Sequence, residues 1–315
     1  MINSILNFNF WLEAKTESKP KEERTLISKI ILNGFKLVCR FLVFSLLWLK
    51  GHCRLIKISP LQDDGKGPIV SLTSYPKRMK YLWMVLYCIY KQSIRPSKIV
   101  VTLIKDEIGG GLDSISRDLK FFKDKGVEFL FEEKNLKPHN KYFYVRQKYP
   151  NRNIITIDDD LLYYSDTIER LLEMHQKHPE CICSNRIQEV GFENGTFTHS
   201  NYWRLIHHEV TPSHKWLGLG YSAVLYPPSF YNDDLYNISK IEDLCLMADD
   251  MWLKIQELRS DVMVVNGKYF AHPMTLPSSQ GLALQHENNA ADSRNDKYLK
   301  LLSEHYKTFF SKFSL

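Results

Sequence analysis

At 315 residues, with 44% hydrophobic and 13% aromatic side chains, the chain can bury a large core, which excludes a disordered or low-complexity protein. Its net charge of +6 suits an anionic small ligand or a membrane surface but falls short of a dedicated nucleic-acid binder, so no nucleic-acid partner is expected. Six cysteines, several inside apolar runs and without a second Cys/His pair at zinc spacing, exclude a disulfide framework and point to a reducing, cytoplasmic compartment.

The first predicted element is an apolar helix over residues 26–50. Within KIILNGFKLVCRFLVFSLLWL, the polar residues Lys29, Asn33, Lys36 and Arg40 recur at i+4, i+3 and i+4, which places them on one narrow stripe. Three charges fall within the length a spanning helix needs, and no small-residue cleavage site follows. The stripe therefore predicts a helix lying on the inner face of the cell membrane, with a true span or docking on protein as the alternatives. Residues 58–68, rich in Pro, Gly and charge, read as a linker.

Strands and helices then alternate. PIVSLTSYP begins a strand, YLWMVLYCIYKQS is a buried helix, SKIVVTLIK a second strand, and LDSISRDLKFFKDKG a helix closed by Gly126. VEFLFEE is a third strand, KPHNKYFYVRQKYP is helical up to Pro150, and NIITIDDD is a fourth strand. SDTIERLLEMHQKHP follows as an amphipathic helix and CICSNRI as a fifth strand. Such alternation predicts an α/β fold with a mostly parallel central sheet covered on both faces. From Gln188 to Pro228 the periodicity dissolves into aromatics, His and Gly, the kind of irregular segment that builds binding surfaces. LCLMADDMWLKIQELRS reads as a helix with an Asp pair near its start.

The triplet Asp158, Asp159 and Asp160 carries the strongest chemical signal. Three adjacent carboxylates repel one another unless a cation or a hydrogen-bond network neutralises them. Because Asp158 and Asp160 share one face of an extended chain, they form an Asp-x-Asp pair at the carboxyl end of a strand, where ligands collect in parallel sheets. Hard oxygen ligands there suit Mg²⁺ or Mn²⁺.

IVSLTSYPKR, KPHNKY, IITIDDDLLY, WLGLGYSAVLYPP, ADDMW and NNAADSRND, in this order, resemble a GT-A glycosyltransferase, most similar to the bacterial family 2-like enzymes of polysaccharide and lipooligosaccharide assembly. The resemblance runs from Pro68 to about Ser303 and implies a nucleotide-sugar donor and a glycan or lipid-linked acceptor. It further implies that Asp160 ligates a Mn²⁺ or Mg²⁺ ion, with Asp158 either joining it or meeting the ribose or sugar, Asp159 behind them, and His272 completing the metal site. By the same likeness Thr73 and Tyr75 meet the nucleoside, and Arg78 and Lys141 the phosphates. Asp250 is the general base, with Asp249 supporting it or holding the acceptor hydroxyl, and the two can exchange roles. Trp216, Gly218 and Gly220 suit an acceptor subsite, with aromatic stacking and close backbone approach.

The expected organisation is a membrane-associated segment over 1–57, a linker over 58–68, a glycosyltransferase domain over 69–303 and a tail over 304–315. Two rival functions stand beside it, a metal-dependent phosphatase of the haloacid dehalogenase kind and a non-catalytic membrane-tethered sugar-binding protein. The first normally carries its Asp on the first strand. The second has no use for two acidic pairs.

Overall fold

A computed structural model describes residues 1–17, 26–53, 55–193, 195–276 and 294–311, with side chains of 16, 17 and 26–29 left aside. Two helices come first, α1 (Ile2–Glu17) and α2 (Leu26–His52). The sheet region then runs β1 (Ile69–Thr73), α3 (Pro76–Tyr90), β2 (Lys98–Ile104), the one-turn α4 (Lys105–Ile108), α5 (Arg117–Lys123), β3 (Val127–Glu132), α6 (Asn140–Lys148) and β4 (Ile154–Thr156). After β5 (Leu161–Leu162) come α7 (Thr167–Lys177), β6 (Ile182–Ser184) and five short strands: β7 (Ile187–Glu189), β8 (Phe192–Glu193), β9 (Thr196–Phe197), β10 (Arg204–Ile206) and β11 (Trp216–Gly218). The chain closes with β12 (Val224–Tyr226), α8 (Ile238–Cys245), α9 (Asp249–Arg259), β13 (Val264–Asn266), β14 (Met274–Thr275), α10 (Arg294–His305) and α11 (Lys307–Phe310).

The main sheet has seven strands in the order β13-β6-β12-β4-β1-β2-β3. All neighbouring pairs are parallel except those of β12, which runs against β4 and β6. This is the mostly parallel α/β fold expected. Alternation along the strands divides the core: Val70, Val101 and Ile155 face the cluster that contains α3, while Ile69, Val100 and Ile154 face Val145 of α6. A further cluster, around Trp252 of α9, takes in Ile182, Val224 and Val264.

Local chemistry explains the element ends. Pro76 sits in the first turn of α3, where its missing N–H costs nothing. The predicted helix from Leu112 starts only at Arg117, because the Ser116 hydroxyl accepts from Leu119 N–H and caps it there. Gly126, at φ 99°, supplies the left-handed turn into β3.

Both ends of the chain pack on the domain. α1 and α2 pack on the domain: Leu6, Leu12, Val43 and Leu47 are buried in its largest core cluster. Asn9 Nδ2 donates to Tyr164 Oη, and Arg40 to Thr275 O. Two residues of the polar stripe of α2 turn inward, Lys36 paired at 2.7 Å to Glu13 of α1 and Arg40 bonded to β14, while Asn33 is exposed. Its opposite face exposes Ile30, Phe35, Val38, Phe41 and Trp48. Ile30–His52 is long and apolar enough to cross a bilayer. The segment expected as a tail from residue 304 buries Tyr306 and Phe310; residues 312–315 lie outside the described residues. So do Asn288 to Ser293 of the NNAADSRND motif and the side chain of Lys29.

Candidate active site

The site is assembled at the carboxyl end of β4. That strand stops at Thr156, and Ile157 N–H still bonds Ser71 O, so the three aspartates leave the sheet in a turn anchored to β1. The Tyr163 hydroxyl accepts from Asp158 N–H at 2.8 Å and donates to Tyr221 O at 3.1 Å. Leu276 N–H bonds Asp160 O from the far side of β14. The turn is therefore clamped by its backbone on two sides.

Its charges are met largely by the chain itself. Arg78, in the first turn of α3, places Nη1 2.6 Å from Asp159 and Nη2 3.0 Å from Asp160. Asp159 also accepts from the Ser74 hydroxyl at 2.5 Å and is almost wholly buried. Burial raises its pKa, with Arg78 and Ser74 opposing the shift in part. For Arg78, burial disfavours the charge, but Asp159 and Asp160 outweigh it and hold the pKa above its usual value.

Lys141 joins this turn to the second acidic pair. Its ammonium lies 3.0 Å from Asp158 Oδ1 and 2.9 Å from Asp249 Oδ2, with only 5% of the residue exposed. Burial alone would lower its pKa; Asp158, Asp249 and Asp250 together reverse that and raise it. The turn that delivers it is fixed by His139, which is fully buried. Its Nε2 lies 2.9 Å from Cys245 O and its Nδ1 2.9 Å from Tyr142 Oη. A carbonyl only accepts, so Nε2 carries the proton and Nδ1 accepts from the hydroxyl. Burial lowers the His139 pKa to about 4, so the ring stays neutral.

Asp249 and Asp250 open α9, where the helix dipole favours negative charge. Burial opposes the Asp249 charge, but Lys141 more than offsets it, and its pKa falls. Asp250 goes the other way: burial, then the Asp249 charge, push it up to about 7. Its Oδ2 accepts from Gly220 N–H at 3.3 Å, and its buried Oδ1 has no hydrogen-bond partner among the described residues. A Cβ on Gly220 would stand 2.7 Å from Asp250 Oδ1 and 3.1 Å from Lys141 Nζ. Because β12 is antiparallel, the turn before it lies at the same sheet edge as the turn after β4, with Val224 opposite Thr156.

The other anticipated residues are placed unevenly. Tyr75 is extended at the start of α3, with its ring 5.2 Å from the Arg78 guanidinium. Thr73 ends β1 and spends its hydroxyl on Thr102 O. Gly218 packs against Ser184. Trp216 lies at the other end of β11, about 13 Å of extended chain before Gly220, with its indole N–H on Thr211 O. His272 stacks on Tyr221, its ring 4.8 Å away, and Nδ1 donates to Pro273 O, which leaves the neutral ring's lone pair on Nε2. Tyr163, His139 and Arg186, which donates to Tyr221 Oη and Phe270 O, were not singled out from the sequence. Tyr163 has a readable signal, since a tyrosine inside a buried run needs a partner for its hydroxyl.

Two cations touch four carboxylates here, with Asp250 a fifth beside them, so net negative charge remains even with Asp250 protonated. That surplus and the hard oxygens of Asp158 and Asp160 fit a divalent ion. Among the described residues no three His, Cys, Asp or Glu side chains converge to hold one alone. Its remaining ligands would have to be phosphate or water.

No protein-family model matches the sequence, and comparison with curated proteins yields no match. Among solved structures the chain is similar to S. aureus TarS, at 14% identity and a TM-score of 0.47, over 78% of this chain and 44% of that one. It is also similar to S. aureus TarS 1-349 in complex with UDP, at 13% identity and 0.46, over 79% and 72%. A third is 4-diphosphocytidyl-2C-methyl-D-erythritol synthase, at 12% identity and 0.42, over 69% and 96%. The chain thus spans less than half the length of the first of these.

Proposed function

We propose that this protein is a glycosyltransferase that moves a sugar from a nucleoside-diphosphate donor to a hydroxyl of a glycan or lipid-linked acceptor, with inversion. One observation carries the reading: Lys141 touches both Asp158, on the side expected to meet the donor, and Asp249, beside the half-buried Asp250. Donor chemistry and an acid–base group are thereby held in one charged cluster.

In this reading Asp250 takes the acceptor proton through Oδ1 while Gly220 N–H holds Oδ2. A base poised near neutral pH is the effective kind, and burial with Asp249 supplies that poise. Lys141 keeps Asp249 charged. Arg78 and Tyr163 fix the aspartate turn from the side chain and the backbone. Tyr75, flanked by Arg78, is the nucleoside platform, and Gly218 and Gly220 line the acceptor approach. Asp158 and Asp160, with His272 alongside, would hold Mn²⁺ or Mg²⁺, whose charge would ease departure of the diphosphate. The phosphatase alternative is weakened by position, because the triplet follows the fourth strand of the sheet and not its first.

The outward face of α2 supports association with the inner face of the cell membrane. A helix that turns Lys36 and Arg40 toward its own domain and its apolar side outward has the polarity of a membrane-facing element. The test is a screen of purified protein against nucleotide-sugars, with Mn²⁺ and with EDTA. Donor hydrolysis or transfer that EDTA abolishes is expected. Absence of both for every donor, with and without lipid acceptor, would overturn the assignment.

A further inference from the structure

Away from the aspartates, a cavity of about 560 Å³ opens between the segment that follows α2, the end of α3 and the end of α5. Four cations surround it: Lys57, Lys91, Arg95 and Lys125. None forms an ion pair with a carboxylate among the described residues. Elsewhere the domain pairs exposed lysines readily, as with Lys134 and Glu242 or Lys148 and Glu128. Four unpaired cations around one opening repel one another, which the chain tolerates where an anion is received. The floor is apolar, with Tyr90 under Arg95 at 5.5 Å and Phe121 under Lys125 at 5.6 Å.

The position is as informative as the charge. The cavity begins where α2 ends, since residues 56–59 form one wall. Lys91 Nζ donates to Lys57 O, and Arg95 to Ser59 O and Pro60 O, so the wall is bonded down. Asn3, at the start of α1, donates to Lys91 O. Exposed Trp48, Leu49 and Leu55 therefore lead from the outward face of α2 to this basic opening. An apolar face continuous with a cationic pocket is what a bilayer with anionic headgroups presents in complement.

We infer that this groove binds the phosphate headgroup of an anionic lipid, seated while the α2 face rests on the acyl boundary. The inference shares the membrane reading of α2 but none of the catalytic reading, and the test separates the two. Full-length protein is sedimented with neutral phosphatidylcholine vesicles and with vesicles containing phosphatidylglycerol, at constant ionic strength. The pair Lys57→Gln and Lys125→Gln is used because neither ammonium donates a hydrogen bond among the described residues, so the wall stays bonded; thermal melting verifies the fold. Partition onto anionic vesicles should fall about fivefold per charge removed, about 25-fold for the pair, with neutral vesicles unaffected. Adding Lys91→Gln and Arg95→Gln should deepen the loss. Equal binding of the unsubstituted protein to both vesicle types, or no change in the pair, would overturn the inference. Displacement by millimolar inorganic pyrophosphate would also overturn it, since the groove would then be a site for free phosphate.

Discussion

Gly220→Ala separates a glycine needed for the shape of a bend from one needed for room. The Gly220 backbone is not in the left-handed region, so alanine costs no strain there, and loss of unfolded-state freedom alone would stabilise the fold by about 0.4–1 kcal/mol. Its Cβ, however, would meet Asp250 Oδ1 at 2.7 Å and Lys141 Nζ at 3.1 Å. Lysine can swing its end away. The short aspartate must retreat by about 0.7 Å to regain ordinary contact. A shift of ~1 Å in a reacting group can cost about 100-fold, so about 0.7 of that on the free-energy scale predicts roughly 25-fold in kcat, or about 1.9 kcal/mol of barrier. Initial rates at saturating donor, with acceptor varied, should show the fall in kcat while the KM for donor and the melting temperature stay near the parent values. An unchanged kcat would refute the claim that this glycine makes space for the base.

Asp250→Asn should lower kcat by about 10²–10⁴-fold with donor affinity retained, as calorimetry would show; loss of donor binding instead would refute the base role. In the parent, kcat/KM should climb as pH passes through about 7, because the carboxylate must be deprotonated to act. The stability effect has the opposite sign: a carboxyl raised from 3.8 to about 7 binds more protons folded than unfolded, so stability falls across that window as pH rises, and the asparagine variant should lose this slope in denaturant titrations. Lys141→Met leaves Asp158 and Asp249 without their cation and should destabilise the fold by about 3–5 kcal/mol, with partial recovery on adding Asp249→Asn; strictly additive effects would deny the coupling. Phe35→Gln, Val38→Gln and Phe41→Gln together should remove about 5 kcal/mol of apolar partitioning and release the protein from neutral vesicles at an unchanged melting temperature, whereas continued pelleting would refute the membrane face.

Much of the sheet was legible because its strands are long apolar runs bounded by turns, and the triplet stood out by ending one. Its electrostatics were not legible. The cations that answer Asp159 and Asp160 come from Arg78, some 80 residues away in sequence, and Lys141 looks like its surface neighbours Lys137 and Lys148 until the fold buries it. β12 escaped detection because three residues carry no period and the segment before it is crowded with aromatics. Two helices did leave a signal. Ile2, Leu6, Asn9 and Leu12 recur at helical spacing in α1, as do Leu299, Leu302, Tyr306 and Phe310 near the other end, and all are buried. The stripe on α2 was correctly spaced, yet spacing fixes only that a face exists and says nothing about which way it turns.

The reversal of β12 has a consequence for how such a protein can diversify. The segment that brushes Asp250 arrives from the opposite chain direction to the one that carries the aspartates; their strands pair through the backbone, and a tyrosine hydroxyl links the two turns. Exchanges in the turn between β11 and β12 can therefore reshape what is admitted beside Asp250 while the turn after β4 keeps its backbone anchors. The surroundings of Asp250 are left open to change, and the charged cluster after β4 can stay as it is.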